Sequence, residues 1–472
     1  MSHNHKVNFN ARSAGVLMPV FSLPSRYGIG CFGEFAYKFV DFLATAKQKF
    51  WQILPLNPTD SHNSPYASPA SFAGNPLFID LELLVQDNLL DKNDLPAPVV
   101  YNKNIDYAAI KKINLPLLKK AFNNFLKIAA PSDYVDFLER NSSWIYAYAR
   151  HSSTGKSAAV DYFLFEQYIF YNQWFKLKAF ANSKGVYIIG DIPLYVEGNS
   201  VDALSCPELF LLGENGKPNM VAGCPPDDFS KDGQKWGNPL YNWQAHKDSG
   251  YKWWIERVAH SLHICDAVRL DHFRGLESFY AIPINGTALE GMWKTGGGEH
   301  FINTINAWFN GPSLIAEDLG HITDGVRRLL EISRYPTMRV LNFAFNESNG
   351  KSEHIVHNFA RHTVAYTQTH DTDTIVGLYN SANNSIKKDI KDYFRVASAA
   401  NLGFSAACTL LQSTANTAIV PLSDYLNMGA FARINTPGTT GNHNWSFNFD
   451  KSALTQKLAK SIAKQVVLTN RC

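Results

Sequence analysis

One stretch decides the fold expected of this chain: Ala267-Val268-Arg269-Leu270-Asp271-His272-Phe273-Arg274-Gly275-Leu276. Its first four residues have the pattern of a short buried strand, which ends in a carboxylate flanked by cations. Because residues two apart in a strand share a face, Arg269 and Asp271 should point the same way. The arginine would then hold the aspartate ionised. Such a carboxylate can be the nucleophile of covalent glycosyl transfer, and the alternative interpretation is a structural ion pair.

Two further predicted strands also end in acids. Residues 313–318 are an apolar run that closes on Glu317 and Asp318, and residues 364–371 are another that closes on His370 and Asp371. Parallel barrels build their active sites at the rim formed by the carboxyl ends of several strands. Three successive strands that each deliver an acid therefore predict one site containing Asp271, Glu317 and Asp371.

Strand patterns alternate with helix patterns along the chain, which predicts the α/β class and a (β/α)8 TIM barrel. Helical spacing is found at residues 35–46, Leu115–Ile128 and Tyr162–Ala181. The eight predicted strands are Gly15–Phe21, Phe50–Leu56, Val186–Leu194, Ile264–Asp271, Leu314–Leu319, Met338–Phe343, Thr363–Thr369 and Thr417–Leu422.

The spacing of these strands is uneven and predicts insertions in a single catalytic domain that spans residues 1–472. The insertions cover approximately residues 57–183, 195–260 and 276–310. They follow the second, third and fourth strands, so they should lie on the C-terminal rim of the barrel. Inserted subdomains in this position would wall a cleft above the three acids.

Composition limits the classes of function. The chain has 472 residues, 45% hydrophobic residues and a net charge of +3, with no basic run, so nucleic-acid binding is not expected. No apolar run approaches the ~18 residues of a membrane span, and the amino terminus lacks the apolar region of a signal peptide. The six cysteines show no paired spacing, which favours reduced thiols and a cytoplasmic location. The sequence does not indicate the oligomeric state.

Several local motifs have an ordinary structural interpretation. Residues 28–33 match the Gly-x-Gly-x-x-Gly dinucleotide fingerprint, but residues 45–59 lack the acid expected ~20 residues later. No metal or phosphate motif is present, so neither a cofactor nor a metal is expected. The segments 64–76, 225–230 and 234–241 each have the composition of a Pro/Gly-rich loop. Within the last, the position of Trp236 among Gly and Pro residues favours an exposed side chain and hence a binding surface.

Taken together, these segments resemble the 4-α-glucanotransferases (amylomaltases or disproportionating enzymes) of glycoside hydrolase family 77. The resemblance runs from Arg12 to Trp445, which is nearly the whole chain. Its early motifs are Ala14-Gly15-Val16-Leu17, Ser22-Leu23-Pro24, Tyr27-Gly28-Ile29-Gly30, Trp51-Gln52, Leu54-Pro55-Leu56 and Ser64-Pro65-Tyr66. Its later motifs are Gly190-Asp191-Ile192-Pro193, Trp236-Gly237-Asn238-Pro239, residues 268–275, Ala316-Glu317-Asp318, Thr369-His370-Asp371 and Asn435-Thr436-Pro437-Gly438-Thr439.

The resemblance implies a retaining transfer of α-1,4-glucan segments between maltodextrins. Asp271 would be the nucleophile, Glu317 the acid/base, with a raised pKa, and Asp371 the third carboxylate, which braces sugar hydroxyls. Neither a cofactor nor a metal is implied. The implied substrate contacts are Tyr66, Asp191, Trp236, Arg269, His272, Phe343 and His370.

The sequence departs from the family pattern at three positions. Asp228 stands where a Tyr is common, which puts an acceptor-side stacking contact in doubt. Gln368 and Thr372 replace a usual Gly and Asn around His370-Asp371. Two alternatives to a transferase remain open from the residues alone: an α-glucan hydrolase on the same barrel, and a non-catalytic glycan-binding protein.

Overall fold

The computed structural model of the chain describes residues 6–154, 156, 159–226, 231–345 and 350–472. Asp228 lies outside the described residues. The strands are β1 (Ser13–Leu17), β2 (Phe50–Gln52), β3 (Tyr187–Ile192), β4 (Met220–Cys224), β5 (Gln234–Pro239), β6 (Ala267–Leu270), β7 (Ser278–Pro283), β8 (Met292–Thr295), β9 (Leu314–Ala316), β10 (Thr337–Val340), β11 (Thr363–Tyr366) and β12 (Thr417–Pro421).

The helices alternate with these strands and enclose them. They are α1 (Glu34–Thr45), α2 (Leu81–Gln86), α3 (Tyr107–Phe125), α4 (Ser132–Arg140), α5 (Ile145–Ser152), α6 (Val160–Ser183), α7 (Val201–Ser205), α8 (Trp243–Asp248), α9 (Lys252–Ile264), α10 (Gly298–Phe309), α11 (Asp324–Ser333), α12 (Ile375–Ser381), α13 (Asn384–Phe394), α14 (Leu402–Leu411), α15 (Leu422–Tyr425) and α16 (Gln456–Leu468). Within the described ranges, no single helix is long and apolar enough to cross a membrane, although the bent pair Asn384–Phe394 and Ala399–Leu411 passes that test by length and composition.

Eight parallel strands form the predicted barrel. Their order in the sheet is β10-β11-β12-β1-β2-β3-β6-β9. At the seam between the outer two strands, the Ala316 N–H donates to the Pro336 carbonyl at 3.0 Å. The Met338 N–H donates to the Asp318 carboxylate at 2.6 Å across the same seam. The (β/α)8 barrel predicted from the sequence is therefore confirmed.

The strands alternate in the faces that they bury. Ile189, Ala267 and Ile315 belong to one cluster with the corresponding residues of the other barrel strands, and this cluster fills the interior. Their neighbours Ile188 and Val268 pack outward in the larger cluster that contains the helices. Because the side-chain period of a strand is two, the residues that follow the interior set by two positions also face inward. Those residues are Asp191, Arg269 and Glu317, so the apolar interior ends in a polar layer at the carboxyl rim.

The predicted strands all continue beyond the observed carboxyl ends. The first was predicted to reach Phe21, but β1 ends at Leu17 and residues Val20–Ser22 form a 3-10 helix. The sixth was predicted to reach Phe343, but β10 ends at Val340 and a 3-10 helix covers Leu341–Phe345. These rim segments keep the apolar composition of a strand while the chain turns away from its neighbour, so composition alone could not mark the end.

The helix predicted at Leu115–Ile128 begins eight residues earlier, at Tyr107. The Asp106 carboxylate caps it by accepting from the Ala109 N–H at 3.0 Å. The helix continues through Pro116, although a proline inside a helix removes one backbone donor. The helix predicted at Tyr162–Ala181 is confirmed within α6.

A second sheet, which the sequence did not predict, covers one side of the barrel rim. It is antiparallel, with the order β5-β4-β7-β8. The strands β4 and β5 lie in the segment predicted as the second insertion, and β7 and β8 lie in the third. Val221, Tyr280, Ile282 and Ala288 form its own small core. Trp236, which had been assigned to a loop-like segment, lies in β5.

The glycine-rich segment at residues 28–33 serves packing at the start of α1. A Cβ atom on Gly33 would lie 1.8 Å from Oδ2 of Asp80, so only glycine fits there. The Asp80 carboxylate thus occupies the space beside the amino terminus of α1, where the phosphates of a dinucleotide would need to bind. An anion at this position would meet like charge.

Candidate active site

Arg269 is the centre of the polar layer at the barrel rim. Strand register places it directly opposite Asp191 on the neighbouring strand. Its Nη1 atom donates to both carboxylate oxygens of Asp191, at 2.9 and 2.7 Å. Its Nη2 atom donates to Oδ1 of Asp271 at 2.7 Å, so Arg269 and Asp271 share a face as the strand period predicts. The buried guanidinium therefore joins the ends of β3 and β6.

Glu317 approaches the same guanidinium from β9. Its Oε2 atom lies 3.9 Å from Nη2 of Arg269 and accepts from the His272 N–H at 2.7 Å. Its Oε1 atom accepts from the Leu319 N–H at 2.9 Å. Burial and, to a smaller extent, the nearby Asp271 raise the pKa of Glu317 to about 7, although Arg269 opposes both effects. Glu317 can therefore hold a proton near neutrality beside a carboxylate that is ion-paired.

The two carboxylates lie close together because one nitrogen atom contacts both. Nη2 of Arg269 is 2.7 Å from Asp271 and 3.9 Å from Glu317. The two contacting oxygens cannot be further apart than the sum of those distances. That limit accommodates the ~5–5.5 Å separation of retaining glycosidases and only the lower end of the ~6.5–9.5 Å range of inverting ones.

Asp371 is held by groups from two segments. Nε2 of His370 lies 3.1 Å from its Oδ2 atom, and Nδ2 of Asn435 donates to its Oδ1 atom at 2.6 Å. Arg433 donates to its backbone carbonyl at 2.6 Å. Burial opposes ionisation of Asp371, but the charge of His370 and the hydrogen bonds from His370 and Asn435 outweigh it and lower the pKa to about 2. This carboxylate is therefore ionised throughout the working pH range of most enzymes.

Tyr66 and His370 form a flat aromatic wall beside the acids. Their rings stack with centroids 5.0 Å apart and an interplanar angle of 12°. The Tyr66 hydroxyl donates to Oδ2 of Asp191 at 2.9 Å. Burial raises the pKa of Asp191 to about 6, although Arg269 opposes that shift. Trp445 packs against both rings, at 5.6 Å from Tyr66 and 5.9 Å from His370.

His272, the residue after Asp271, forms a second aromatic pair with Trp236. The two rings are perpendicular, with centroids 4.9 Å apart. Burial lowers the pKa of His272 to about 4, so its ring is neutral near pH 7. Its Nε2 atom is buried without a hydrogen-bond partner among the described residues. Trp236 is 36% exposed, which indicates a surface and not a core position.

Phe343 lies further along the rim. It is in the 3-10 helix that follows β10, where its ring packs 5.3 Å from His354 and against the barrel interior. The structure thus brings Tyr66, Asp191, Arg269, Asp271, Glu317, His370 and Asp371 into one connected cluster, with His272 and Trp236 beside it.

Comparison with known proteins decides the family. The sequence model of glycoside hydrolase family 77, described as 4-alpha-glucanotransferase, matches residues 18–158 and 150–453. The chain belongs to this family. The family resemblance inferred from the sequence motifs is therefore confirmed.

Relatives in this family match along nearly their whole length. The 4-alpha-glucanotransferase of Streptococcus pneumoniae (strain TIGR4) is 38% identical over 98% of this chain and 97% of its own. That of Aquifex aeolicus is 38% identical over 93% of this chain and 96% of its own. The structure of amylomaltase from Streptococcus agalactiae in complex with acarbose superposes with a TM-score of 0.94 at 36% identity, covering 98% of this chain and 99% of that one.

Two residues of this family 77 site were not assigned a role from the sequence. Asn435 donates to Asp371, and Trp445 packs on Tyr66 and His370. Both lie at the edge of the resemblance, in or after the Asn-Thr-Pro-Gly-Thr motif. Asp371 and Asn435 are 64 positions apart, so no local pattern links them. The one available signal was the Asn-Thr-Pro-Gly-Thr motif, which belongs to the resemblance but had been given no chemical role.

Proposed function

We propose that this enzyme transfers α-1,4-glucan segments from one maltodextrin to the 4-hydroxyl of another by a retaining double displacement. The observation that carries the proposal is the contrast between two neighbouring carboxyl groups. Glu317 is buried, with a pKa raised to about 7, whereas Asp271 is paired with Arg269 at 2.7 Å. Two carboxyl groups in such different environments are suited to separate acid and nucleophile roles.

In the first step, the Asp271 carboxylate attacks the anomeric carbon as the glycosidic bond breaks. Glu317 gives its proton to the departing glycosidic oxygen, which leaves as a free 4-hydroxyl. The product is a glucosyl ester on Asp271, and Glu317 is now ionised. The His272 and Leu319 N–H groups, which donate to the Glu317 carboxylate, stabilise that ionised form.

In the second step, Glu317 removes the proton from the 4-hydroxyl of the acceptor sugar. The acceptor oxygen attacks the anomeric carbon, and the ester bond to Asp271 breaks. Nucleophile and acid then return to their starting states, so the cycle needs no other reactant. If water replaces the acceptor, the same steps give hydrolysis.

The surrounding residues fit roles in holding the sugar. We assign Asp371 to brace hydroxyls of the sugar in the transition state, and His370 and His272 to donate to hydroxyls. Tyr66 and Trp236 offer apolar ring surface, and Asp191 and Arg269 fix the acids. Phe343 would contact the glucan further along the rim.

The proposal extends to organisation and location. We propose one catalytic domain over residues 1–472, with insertions at approximately 57–183, 195–260 and 276–310. The strands of the second sheet and the helices α2–α6, which fall within these segments, support that division. The absence of paired cysteine spacing supports action in the cytoplasm. Maltooligosaccharides and α-1,4-glucans are the proposed partners.

Incubation with maltotriose tests the proposed function. We expect chromatography to resolve glucose together with a ladder of longer maltooligosaccharides. Glucose and maltose alone would show that water takes the glucan and that the enzyme is a hydrolase. Unchanged maltotriose, with binding detected by calorimetry, would show a non-catalytic glycan-binding protein.

The pH dependence follows from Glu317. Its pKa is raised to about 7, so it carries a proton below that pH and loses it above. Because the first step needs the proton, kcat/KM for maltotriose should fall as the pH rises through about 7. Release of fluoride from a maltosyl fluoride donor needs no proton, so its first turnover should lack this limb. An identical alkaline limb with both donors would contradict the assignment.

Replacing Trp236 by alanine should weaken acceptor binding and leave the carboxylate chemistry intact. Loss of an aromatic contact worth about 0.5–1.5 kcal/mol should raise KM roughly 2- to 12-fold. Because a bound acceptor must compete with water, the ratio of hydrolysis to transfer should also rise. Trp308→Ala, at a 66% exposed position on α10, is the matched control and should change neither quantity. A sharply lower Tm with an unchanged product ratio would assign Trp236 to packing.

A further inference from the structure

Gln368 lies inside the turn that carries His370 and Asp371. Its side chain is 4% exposed, and its amide group faces the carbonyls of Thr369 and Thr372 at 2.7 and 3.2 Å. The other amide atom lies 2.9 Å from the Ser423 hydroxyl. Because two carbonyl oxygens require donors, the amide nitrogen faces them and the amide oxygen accepts from Ser423. One side chain therefore joins both ends of the turn to the segment after β12.

The rest of the turn is held by short-range bonds. The Thr369 N–H donates to Oγ1 of Thr372 at 2.9 Å, and the Asp371 N–H donates to Oγ1 of Thr369 at 3.3 Å. Thr372 and Gln368 are the two positions at which this sequence departs from the family pattern around His370-Asp371. Both departures thus contribute side-chain hydrogen bonds to the same turn.

The residues that flank the turn are fixed independently. The Asn342 N–H donates to the Thr367 carbonyl at 2.9 Å, and its side chain donates to the Asp373 carbonyl at 2.8 Å. Asp424 accepts from the Thr367 hydroxyl at 2.5 Å and from the Ile375 N–H at 3.1 Å. Loss of Gln368 should therefore release the turn itself while its flanks remain anchored.

The position of the Asp371 carboxylate depends on the path of this turn. His370 and Asn435 bind the carboxylate, and the Asn435 N–H also donates to the His370 carbonyl at 2.9 Å. A shift of the turn would move Asp371 relative to Asp271 and Glu317, which lie on other strands. Catalytic groups must be held within ~0.5 Å of the productive geometry, and misplacement by ~1 Å can cost on the order of 10²-fold in rate.

We propose that Gln368 is a positioning residue that sets the third carboxylate, Asp371, for the transition state. The proposal rests on the role assigned to Asp371 under the proposed function. Gln368 is buried, and its amide group is occupied by Thr369, Thr372 and Ser423, so we assign it no contact with the sugar. It acts by donating two hydrogen bonds to the backbone of the turn, so its effect should appear in kcat and not in ground-state binding.

Gln368→Met and Gln368→Glu test the proposal. Methionine keeps the length of the side chain but removes the donors, so kcat for maltotriose should fall on the order of 10- to 100-fold with KM little changed. The carboxyl introduced by Gln368→Glu can donate one hydrogen bond when neutral, and it repels both carbonyls when ionised. Activity relative to the native enzyme should therefore be highest at acidic pH and should fall as the introduced carboxyl ionises, at a pKa raised by burial.

Gln173 offers a matched control. It is also buried and also clamps a backbone, because it accepts from the Asp80 N–H at 2.7 Å and donates to the Asp80 carbonyl at 3.1 Å. Gln173→Met and Gln173→Glu should lower Tm by comparable amounts without changing kcat or the shape of the pH profile. A purely structural role of Gln368 would give the same result at both sites, and would overturn the proposal.

Two further measurements separate failure of this proposal from failure of the proposed function. Asp371→Asn should be inactive; if it retains activity, the role of Asp371 is wrong. If it is inactive while both Gln368 variants keep the native kcat, only the positioning role is wrong. Maltosyl fluoride bypasses the need for a proton from Glu317 but not the need for Asp371, so the Gln368 variants should remain impaired with it. Full recovery with the fluoride would overturn the proposal.

Discussion

Replacing Asp271 by asparagine should lower kcat for transfer between maltodextrins by on the order of 10⁴-fold or more, as expected for loss of a nucleophile. The amide has the shape of the carboxylate, but it cannot form the glucosyl ester. Arg269 keeps its two hydrogen bonds to Asp191, so the fold should be retained. Affinity for glucans, measured by calorimetry, should stay close to that of the native enzyme.

The control for this variant lies at the other end of the same strand. Asp266 precedes β6 and accepts from the Ile188 N–H at 2.7 Å and from the Asn182 side chain at 3.0 Å. Asp266→Asn should lower Tm and leave kcat unchanged, because its contacts are structural. Near-native transfer by folded Asp271→Asn protein, or inactivation by both changes alike, would remove Asp271 from the nucleophile role.

Replacing Glu317 by glutamine should lower transfer from maltodextrins by on the order of 10²- to 10⁴-fold, the usual contribution of general acid–base catalysis. With maltosyl fluoride the first step should still proceed, because fluoride leaves without a proton. The ester on Asp271 would then accumulate, since no base remains to activate the acceptor. Mass spectrometry of the intact protein, then of its peptides, should find the sugar on Asp271.

The environment of Glu317 adds a further expectation for this variant. The carboxylate accepts from the His272 and Leu319 N–H groups with different oxygens. An amide can accept with one side only, so Tm should fall slightly. Asp318→Asn is the neighbouring control, because Asp318 pairs with Arg339 at 2.9 Å. That change should preserve transfer, and a sugar adduct on any residue other than Asp271 would contradict the assigned roles.

The barrel and the gathering of acids at its rim were predictable from local patterns, because strand-like runs alternate with helical ones and three of the runs end in an acid. Inward positions at Ile189, Ala267 and Ile315 fix the side of the strand on which Asp191, Arg269 and Glu317 emerge. This two-residue period involves only neighbouring positions, so it can be read from a single sequence. The ends of the strands were not predictable to the residue, because segments such as Leu341–Phe345 keep an apolar composition after pairing stops.

The remaining parts of the site depend on contacts between segments distant in sequence. The hydrogen bond from Asn435 to Asp371 and the packing of Trp445 on Tyr66 have no local pattern. The second sheet was missed for a related reason. Its strands are short and contain Gly, Pro and exposed positions, which individually favour loops, and they become strands only by pairing across two insertions.

The pairing of strands between two insertions limits how the rim of the barrel can change in evolution. The central contact of the second sheet joins β4, in the second insertion, to β7, in the third, with Ala222 opposite Ala281. Removal of either insertion alone, or its replacement by a short loop, would leave a strand edge without its partner, and exposed edges promote aggregation. The second and third insertions should therefore be inherited together. A recombination event that preserves the second sheet must carry both insertions and the part of the barrel between them.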